Sequence, residues 1–162
     1  ESKHLDEFIK LLSKQGIWLK LIEYGEAKAG SVQRVIEIGR RSTDTKQRPE
    51  YKIRLNKTHN PNVQFATLIH ELAHLYLGHL GADKYLKIKD RSNIVHIDCE
   101  LEAESVSYIL CCRNGVKSKA ESYLADYVNK NTTIDSIDLY TLLKVAGQIE
   151  TLLNLAEHTK FK

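Results

Sequence analysis

A His-Glu-x-x-His motif inside an apolar run with helical spacing constrains this chain more than any other feature. It occupies residues 70–74, within the run at 67–79. Residues four apart on a helix lie about 40° apart around its axis, so His70 and His74 can bind one small cation. Glu71 lies about 100° further round, where it can reach a water molecule on that cation. The motif therefore predicts a helix that carries part of a metal site.

This arrangement of residues is typical of zinc-dependent hydrolases. A catalytic zinc ion has three protein ligands and keeps one position open for water. Two histidines are one ligand short of that number. The prediction of Zn²⁺ as the cofactor therefore requires a third ligand from another part of the chain.

Size and composition fit one globular domain. The chain has 162 residues, of which 42% are hydrophobic and 28% charged, with a formal net charge of +3. No apolar run reaches the roughly 18 residues that cross a bilayer, so no membrane partner is expected. Cys99, Cys111 and Cys112 lack disulfide-framework spacing, which favours a reducing cytoplasm. Because the sequence begins at Glu1 and contains no Met, we expect residues 1–162 to be a single domain from a longer protein.

Residue periodicity predicts an α+β fold, in which a small three-stranded antiparallel sheet packs on helices. Strands are expected at 17–24, 32–38 and 51–55, and helices at 3–15, 61–79, 97–113, 118–129 and 135–158. Asn60 and Pro61 mark the start of the motif helix, because Asn caps a helix and Pro suits its first position. Residues 39–50 and 82–93 are polar and are expected to form loops.

The third ligand is predicted on the helix at 97–113. On a helical wheel Glu102 lies in the middle of the apolar stripe, between Val106 and Ile109. A carboxylate there is costly unless it is paired or binds a metal, so Glu102 is the predicted third ligand. A buried salt bridge is the alternative for this residue. With Glu102, the motif helix and this second ligand helix form a gluzincin-like pair.

Three nearby side chains are given other roles. Glu100 and Glu104 lie on the opposite, polar face of the second ligand helix, where they either orient a ligand histidine or are solvated. His79 lies about 140° from His74 around the motif helix and is therefore excluded from the metal site. Its expected role is that of a helix-end histidine favoured by the helix dipole.

Two segments resemble the ImmA/IrrE family of zinc metallopeptidases. They are the motif at 70–74 and the sequence Glu-Leu-Glu-Ala-Glu-Ser-Val at 100–106, and the similarity covers about residues 54–112. In that family the Glu directly before Ala is the third zinc ligand. The resemblance therefore implies the same role for Glu102.

The segment at 102–108, with Ser-Tyr-Leu-Ala-Asp-Tyr at 122–127, looks closer still to the metallopeptidase domain of ArdC-like antirestriction proteins. Those proteins often carry a separate single-stranded-DNA-binding domain, which implies DNA association through a domain outside this chain. The chain departs from the ImmA/IrrE pattern at Glu104, where Asn is usual, and at 111–112, where Met-Pro is common.

The predicted function is that of a zinc metalloprotease of narrow specificity, which hydrolyses a peptide bond in a regulatory or DNA-associated protein. Glu71 would take a proton from the attacking water and give it to the leaving amine. Tyr123, or else Tyr108 or Tyr127, would stabilise the oxyanion, although an ordinary packing role is the simpler interpretation of each. If the strand at 51–55 is an edge strand, an extended peptide can pair with it, and an ordinary paired strand is the alternative.

The alternative prediction is a zinc-containing module without catalytic activity, which contributes to DNA or protein binding in an antirestriction or mobile-element protein. The net charge of +3 and the basic segments at 40–41 and 84–91 favour this alternative. Aromatic residues make up only 7% of the chain and show no stacking pattern for single strands.

Overall fold

The computed structural model describes residues 2–25, 27–35, 48–130 and 137–155. Within these ranges the elements are α1 (Ser2–Ser13), β1 (Ile17–Ile22), β2 (Gly30–Val35), β3 (Glu50–Asn56), α2 (Pro61–Tyr76), α3 (His96–Arg113), α4 (Ala120–Lys130) and α5 (Leu139–Leu152). The predicted α+β class is confirmed. Parts of the predicted second strand, the polar loop and the last helix, at 36–47, 135–136 and 156–158, lie outside the described residues. No helix in the described ranges is both long enough and apolar enough to cross a membrane.

The sheet is mixed, and the prediction of an antiparallel sheet is therefore wrong. The strand order is β1-β3-β2, in which β2 runs antiparallel to β3 and β1 runs parallel to it. Strands β1 and β2 are consecutive in the sequence but lie on opposite sides of β3, which pairs with both of them. Alternation along a strand shows which side chains face the core, but it does not specify the strand order.

Strand β3 lies in the centre of the described sheet, so its interpretation as an edge strand is also wrong. Its inward side chains Tyr51, Ile53 and Leu55 are fully buried. The edges of the described sheet are β1 and β2. Any strand pairing with a peptide therefore has to use β1 or β2.

Helix α2 is the central element of the core. Its buried residues pack with the inward face of the sheet and with residues of α1, α3 and α5. Burying one large aliphatic side chain stabilises a fold by about 1.5–3 kcal/mol, and α2 buries four of them completely: Leu68, Ile69, Leu72 and Leu75. The motif helix is thus held firmly from several sides.

The start of α2 agrees with the sequence, whereas its end comes earlier. Asn60 accepts a hydrogen bond from the Val63 backbone N–H at 3.0 Å, and Pro61 takes the first helical position. The helix ends at Tyr76, and Gly78 turns the chain with φ +81°. A Cβ atom at Gly78 would collide with the backbone of Lys89, so the residue allows a tight return of the chain.

The segment at 82–93 is more ordered than the solvated loop that its composition predicts. Asp83 is buried and accepts hydrogen bonds from the Tyr51 hydroxyl at 2.8 Å and from the backbone N–H groups of Tyr85 and Leu86. Asp83 and Ile88 also pair through their backbones. One buried carboxylate therefore fixes the segment to the central strand.

Substitution of Tyr51 by Phe tests this anchor. The change leaves the buried Asp83 carboxylate with one donor fewer, so the free energy of unfolding should fall by about 1–3 kcal/mol in urea denaturation. Tyr140→Phe is the matched control because Tyr140 is 76% exposed. It should change the free energy of unfolding by less than about 0.5 kcal/mol. Equal effects of the two substitutions would contradict the anchoring role of Asp83.

Candidate metal site

Helix α2 brings the two motif histidines together. The Nε2 atoms of His70 and His74 lie 3.0 Å apart, and the two rings pack edge to face. Both side chains are partly buried and line a cavity. The four-residue spacing on a helix therefore produces the convergence that the sequence predicts.

Glu100 on α3 completes the group. Its Oε2 atom lies 3.3 Å from His70 Nε2, and its Oε1 atom lies 3.3 Å from His74 Nε2. Among the described residues, His70, His74 and Glu100 are the group of three whose ligand atoms can hold a metal ion. Zinc ligands at about 2.0–2.2 Å in a tetrahedral site lie about 3.3 Å from one another. One donor atom from each of the three residues lies within 4.8 Å of the other two, a separation that can accommodate such an ion.

Glu102, the predicted third ligand, lies elsewhere. It is 5% exposed, and its carboxylate accepts hydrogen bonds from Arg91 at 2.6 and 3.0 Å and contacts His79 Nε2 at 2.9 Å. Its place in the apolar stripe correctly indicated burial with a partner. The stripe did not show which partner this is. The contact with Arg91 matches the alternative interpretation of Glu102, a buried salt bridge.

The packing of α3 explains why Glu100, and not Glu102, lies beside the two histidines. Small residues of α3 face α2: Ala103 is fully buried, and the Ser107 hydroxyl donates to the Ala66 carbonyl at 3.1 Å. Glu100 and Glu104 flank this line of contact and reach the histidines. On a helical wheel, the large apolar residues determine which face is predicted to be buried. Small residues, however, allow the closest approach of two helices.

His79 contacts the site, although the helical wheel excluded it. Its Nδ1 atom lies 2.9 Å from His74 Nδ1. The wheel angle does not apply because α2 ends at Tyr76 and Gly78 redirects the chain. His79 approaches His74 on the ring nitrogen that faces away from His70 and Glu100, so it lies outside the group of three donor residues.

Glu104 contacts the other histidine, as its predicted supporting role requires. Its Oε2 atom lies 2.9 Å from His70 Nδ1, but the two groups are not aligned as a hydrogen bond. The contact is therefore an ion pair. Both ring nitrogens of His70 lie beside carboxylates, since Glu100 is close to the other one.

These contacts control the charges at the site. Burial lowers the pKa of His70, but Glu100 and Glu104 outweigh this effect and raise the pKa to about 10. Contacts with His70 and His74 hold the pKa of Glu100 well below its usual range. Burial lowers the pKa of His74. A proton on His70 thus supplies positive charge among the three donor atoms, and a metal ion bound there would displace it.

Glu71 lies beside the three donor atoms but is not one of them. It is 9% exposed, and burial raises its pKa. The Val32 backbone N–H on β2 donates a hydrogen bond to it. Glu71 is therefore a buried carboxylate with a raised pKa next to the cluster.

Two cavities of about 710 and 690 Å³ meet at the cluster. Both are lined by Gly30, His70 and Glu71. The larger one extends toward Asn60 and Lys119, and the other extends past the same strand, β2, toward the start of α3. The cluster therefore lies in a cleft that follows the edge strand β2.

The three candidate tyrosines differ in their surroundings. Burial and the charges of Glu100 and Glu104 raise the pKa of Tyr123, which is 43% exposed. Tyr127 donates a hydrogen bond to Asp98 at 2.9 Å, and Tyr108 interacts with the adjacent Cys112. Tyr123 is the one of the three whose pKa is raised by both Glu100 and Glu104.

Comparison with protein-family models, with curated proteins and with solved structures gives no match to this chain. The resemblance carried by the two motif segments therefore remains a prediction. The chemistry of the site has to be inferred from its geometry.

Substitution of Glu100 by Ala, compared with Glu102→Ala, tests the ligand assignment. Loss of a ligand should weaken Zn²⁺ binding by more than about 100-fold, the upper end for a residue that only supports a ligand. We therefore expect Glu100→Ala to be the more damaging change in a competition titration with a chromophoric chelator. Glu121→Ala, on the exposed face of α4, is the control and should bind as wild type does. The reverse ranking of Glu100 and Glu102 would restore Glu102 as the ligand.

Proposed function

We propose that this chain is a zinc-dependent metallopeptidase of narrow specificity, which hydrolyses a peptide bond in a regulatory or DNA-associated protein. The observation that carries the proposal is the convergence of His70, His74 and Glu100 beside the buried carboxylate of Glu71. Two imidazoles and one carboxylate form a donor set that zinc hydrolases use, with room for a fourth ligand. The three free cysteines favour a reducing cytoplasm as its location.

The proposed mechanism assigns proton transfer to Glu71. When bound, zinc would act as a Lewis acid and make water a better nucleophile near neutral pH. The Glu71 carboxylate would accept the proton of the attacking water and pass it to the leaving amine. Burial raises the pKa of Glu71 above its usual value, and a raised pKa suits a group that first takes and then gives a proton.

The cleft supports an extended polypeptide as the substrate. Strand β2 borders the cleft and has β3 on one side only within the described sheet. A peptide would therefore lie along β2, and not along β3 as its sequence suggested. Tyr123 on α4 would face the developing oxyanion across the cluster.

Substitution of Glu71 by Gln should separate metal binding from catalysis. The amide keeps the size of the side chain but cannot accept a proton, so cleavage should fall by about 10²–10⁴-fold while the zinc content stays the same. Cleavage of a diverse peptide library, read by mass spectrometry, measures activity on many candidate sequences at once. Glu7→Gln on the exposed face of α1 is the control. Cleavage by Glu71→Gln at the wild-type rate would rule out this mechanism.

We propose nucleic-acid binding as a second candidate function, since one surface favours it. The outer face of the sheet carries two rows that cross the strands: Trp18, Lys52 and Gln33, then Lys20, Arg54 and Ser31. The six positions include three cations and no carboxylate. Trp18, the single tryptophan of the chain, is 43% exposed there.

The spacing of the side chains on this outer face suits single-stranded nucleic acid. Neighbouring strands lie about 4.8 Å apart and alternate residues about 6.7 Å apart, so the cations and the indole form one small patch. Cations that contact phosphates and an aromatic ring that stacks on a base are the means by which proteins bind single strands. Of the basic segments noted in the sequence, 40–41 lies outside the described residues, and Arg91 is engaged by Glu102.

Fluorescence of Trp18 tests this second function directly. Addition of single-stranded DNA should quench the emission, and Lys52→Gln with Arg54→Gln should lower the salt slope of log K by about 1.4, that is about 0.7 for each lost phosphate contact. The double substitution Lys10→Gln with Lys130→Gln removes the same charge from exposed helical positions. If the wild-type protein shows no quenching, or if the control pair loses as much affinity, the outer face is not a nucleic-acid site.

A further inference from the structure

A chain of four side chains runs outward from the ligand group. His74 Nδ1 lies 2.9 Å from His79 Nδ1, and His79 Nε2 lies 2.9 Å from Glu102 Oε2. Arg91 donates two hydrogen bonds to the Glu102 carboxylate, at 2.6 and 3.0 Å. The chain thus begins at a proposed ligand and ends at a partly buried ion pair.

The direction of each hydrogen bond follows from the chemistry of the groups. An ionised carboxylate only accepts, so His79 Nε2 carries the proton toward Glu102. In the tautomer of His79 with this proton on Nε2, the Nδ1 atom has a lone pair and lies 2.9 Å from His74 Nδ1. His74 then donates from its own Nδ1. Its Nε2 atom has the lone pair, which faces His70 Nε2 at 3.0 Å and Glu100 Oε1 at 3.3 Å.

The surrounding backbone holds this chain in place. The side chains of His79 and Glu102 are 5% and 6% exposed. Arg91 Nη1 also donates to the Leu77 carbonyl at 3.1 Å, and its backbone N–H donates to the Gly78 carbonyl at 3.0 Å. The turn that ends α2 and the return of the chain at residue 91 therefore place His79 between His74 and Glu102.

We infer that His79 and Glu102 are positioning residues that fix His74 in the tautomer with Nδ1–H, so that Nε2 is presented to a metal ion. This inference rests on the proposed metal site. The two histidines are supported differently: His70 has a carboxylate, Glu104, directly at its Nδ1, whereas His74 reaches Glu102 through His79. Partners of this kind orient ligand histidines and typically change metal affinity by about 10–100-fold when they are removed.

Two substitutions of His79 separate this role from simple packing. In His79→Gln, the amide oxygen can accept from His74 and the amide N–H can donate to Glu102, as in the native chain. In His79→Leu, a side chain of comparable bulk can do neither. Chelator competition should show Zn²⁺ affinity about 10–100-fold weaker in His79→Leu and within about threefold of wild type in His79→Gln. Equal affinity of His79→Leu and wild type would overturn the inference.

The metal-free protein provides a second measurement. Long-range ¹H–¹⁵N NMR of the His74 ring should show a protonated Nδ1 in the wild type and in His79→Gln, and a mixture of tautomers in His79→Leu. A wild-type His74 protonated on Nε2 alone would overturn the inference. If urea denaturation shows that His79→Leu does not fold, Glu102→Ala replaces it, since this change removes the acceptor for His79 Nε2–H. Glu102→Gln keeps an acceptor and is its control. An unchanged zinc affinity and an unchanged His74 signal in Glu102→Ala would then overturn the inference.

These results distinguish the inference from the proposed function. Suppose that the wild-type protein cleaves no peptide, but that wild type and His79→Gln bind Zn²⁺ more tightly than His79→Leu does. This result would defeat the peptidase proposal and support the positioning role. If the wild type binds no Zn²⁺, the metal-free NMR spectra decide alone. Cleavage with no difference among the His79 variants in either measurement would support the peptidase and defeat the positioning role.

Discussion

The packing of α3 against α2 is the contact on which the candidate site depends. The two helices approach through small residues, Ala103 and Ser107, and the Ser107 hydroxyl donates to a backbone carbonyl of α2. This close approach brings Glu100 and Glu104 onto the motif histidines. A larger residue at either small position would separate the helices, and the donor group of α2 would then lack its third member. Burial of α2 against the sheet supplies the rigid base for this contact.

Compensation of buried charge is the second constraint. Glu71, Glu102 and His79 are almost fully removed from water, and a buried charge is costly unless it is paired or hydrogen-bonded. Arg91 and His79 satisfy Glu102, whereas Glu71 has a backbone N–H of β2 and a raised pKa. Glu102, which has Arg91 as a strong cationic partner, thus lies outside the donor cluster. Glu71, whose charge is less well compensated, lies at the cleft. The proposed roles follow this division: Glu102 is the proposed positioning residue, and Glu71 is the proposed proton acceptor.

Much of the fold could be predicted because it follows from local patterns. The cap at Asn60, the apolar run of α2 and the alternation of β3 each act within a few residues, and the structure contains all three. The sheet pairing could not be predicted, since alternation is the same in parallel and antiparallel strands. The positions of Glu100 and Glu102 differed from expectation for a similar reason. A helical wheel gives angles within one helix, but the face that meets α2 depends on the size of the residues on both helices.

The sequence by itself determined the pair of histidines and the position of Glu71 beside them, because four-residue spacing on one helix is independent of the rest of the fold. It also indicated that Glu102 is buried with a partner. Only the tertiary structure decided that Glu100 meets the histidines, that Glu102 meets Arg91 and that His79 joins Glu102 to His74. These contacts join segments that are separate along the chain, and their geometry depends on the turn at Gly78 and the approach of α3. Neither of these leaves a periodic pattern in the sequence.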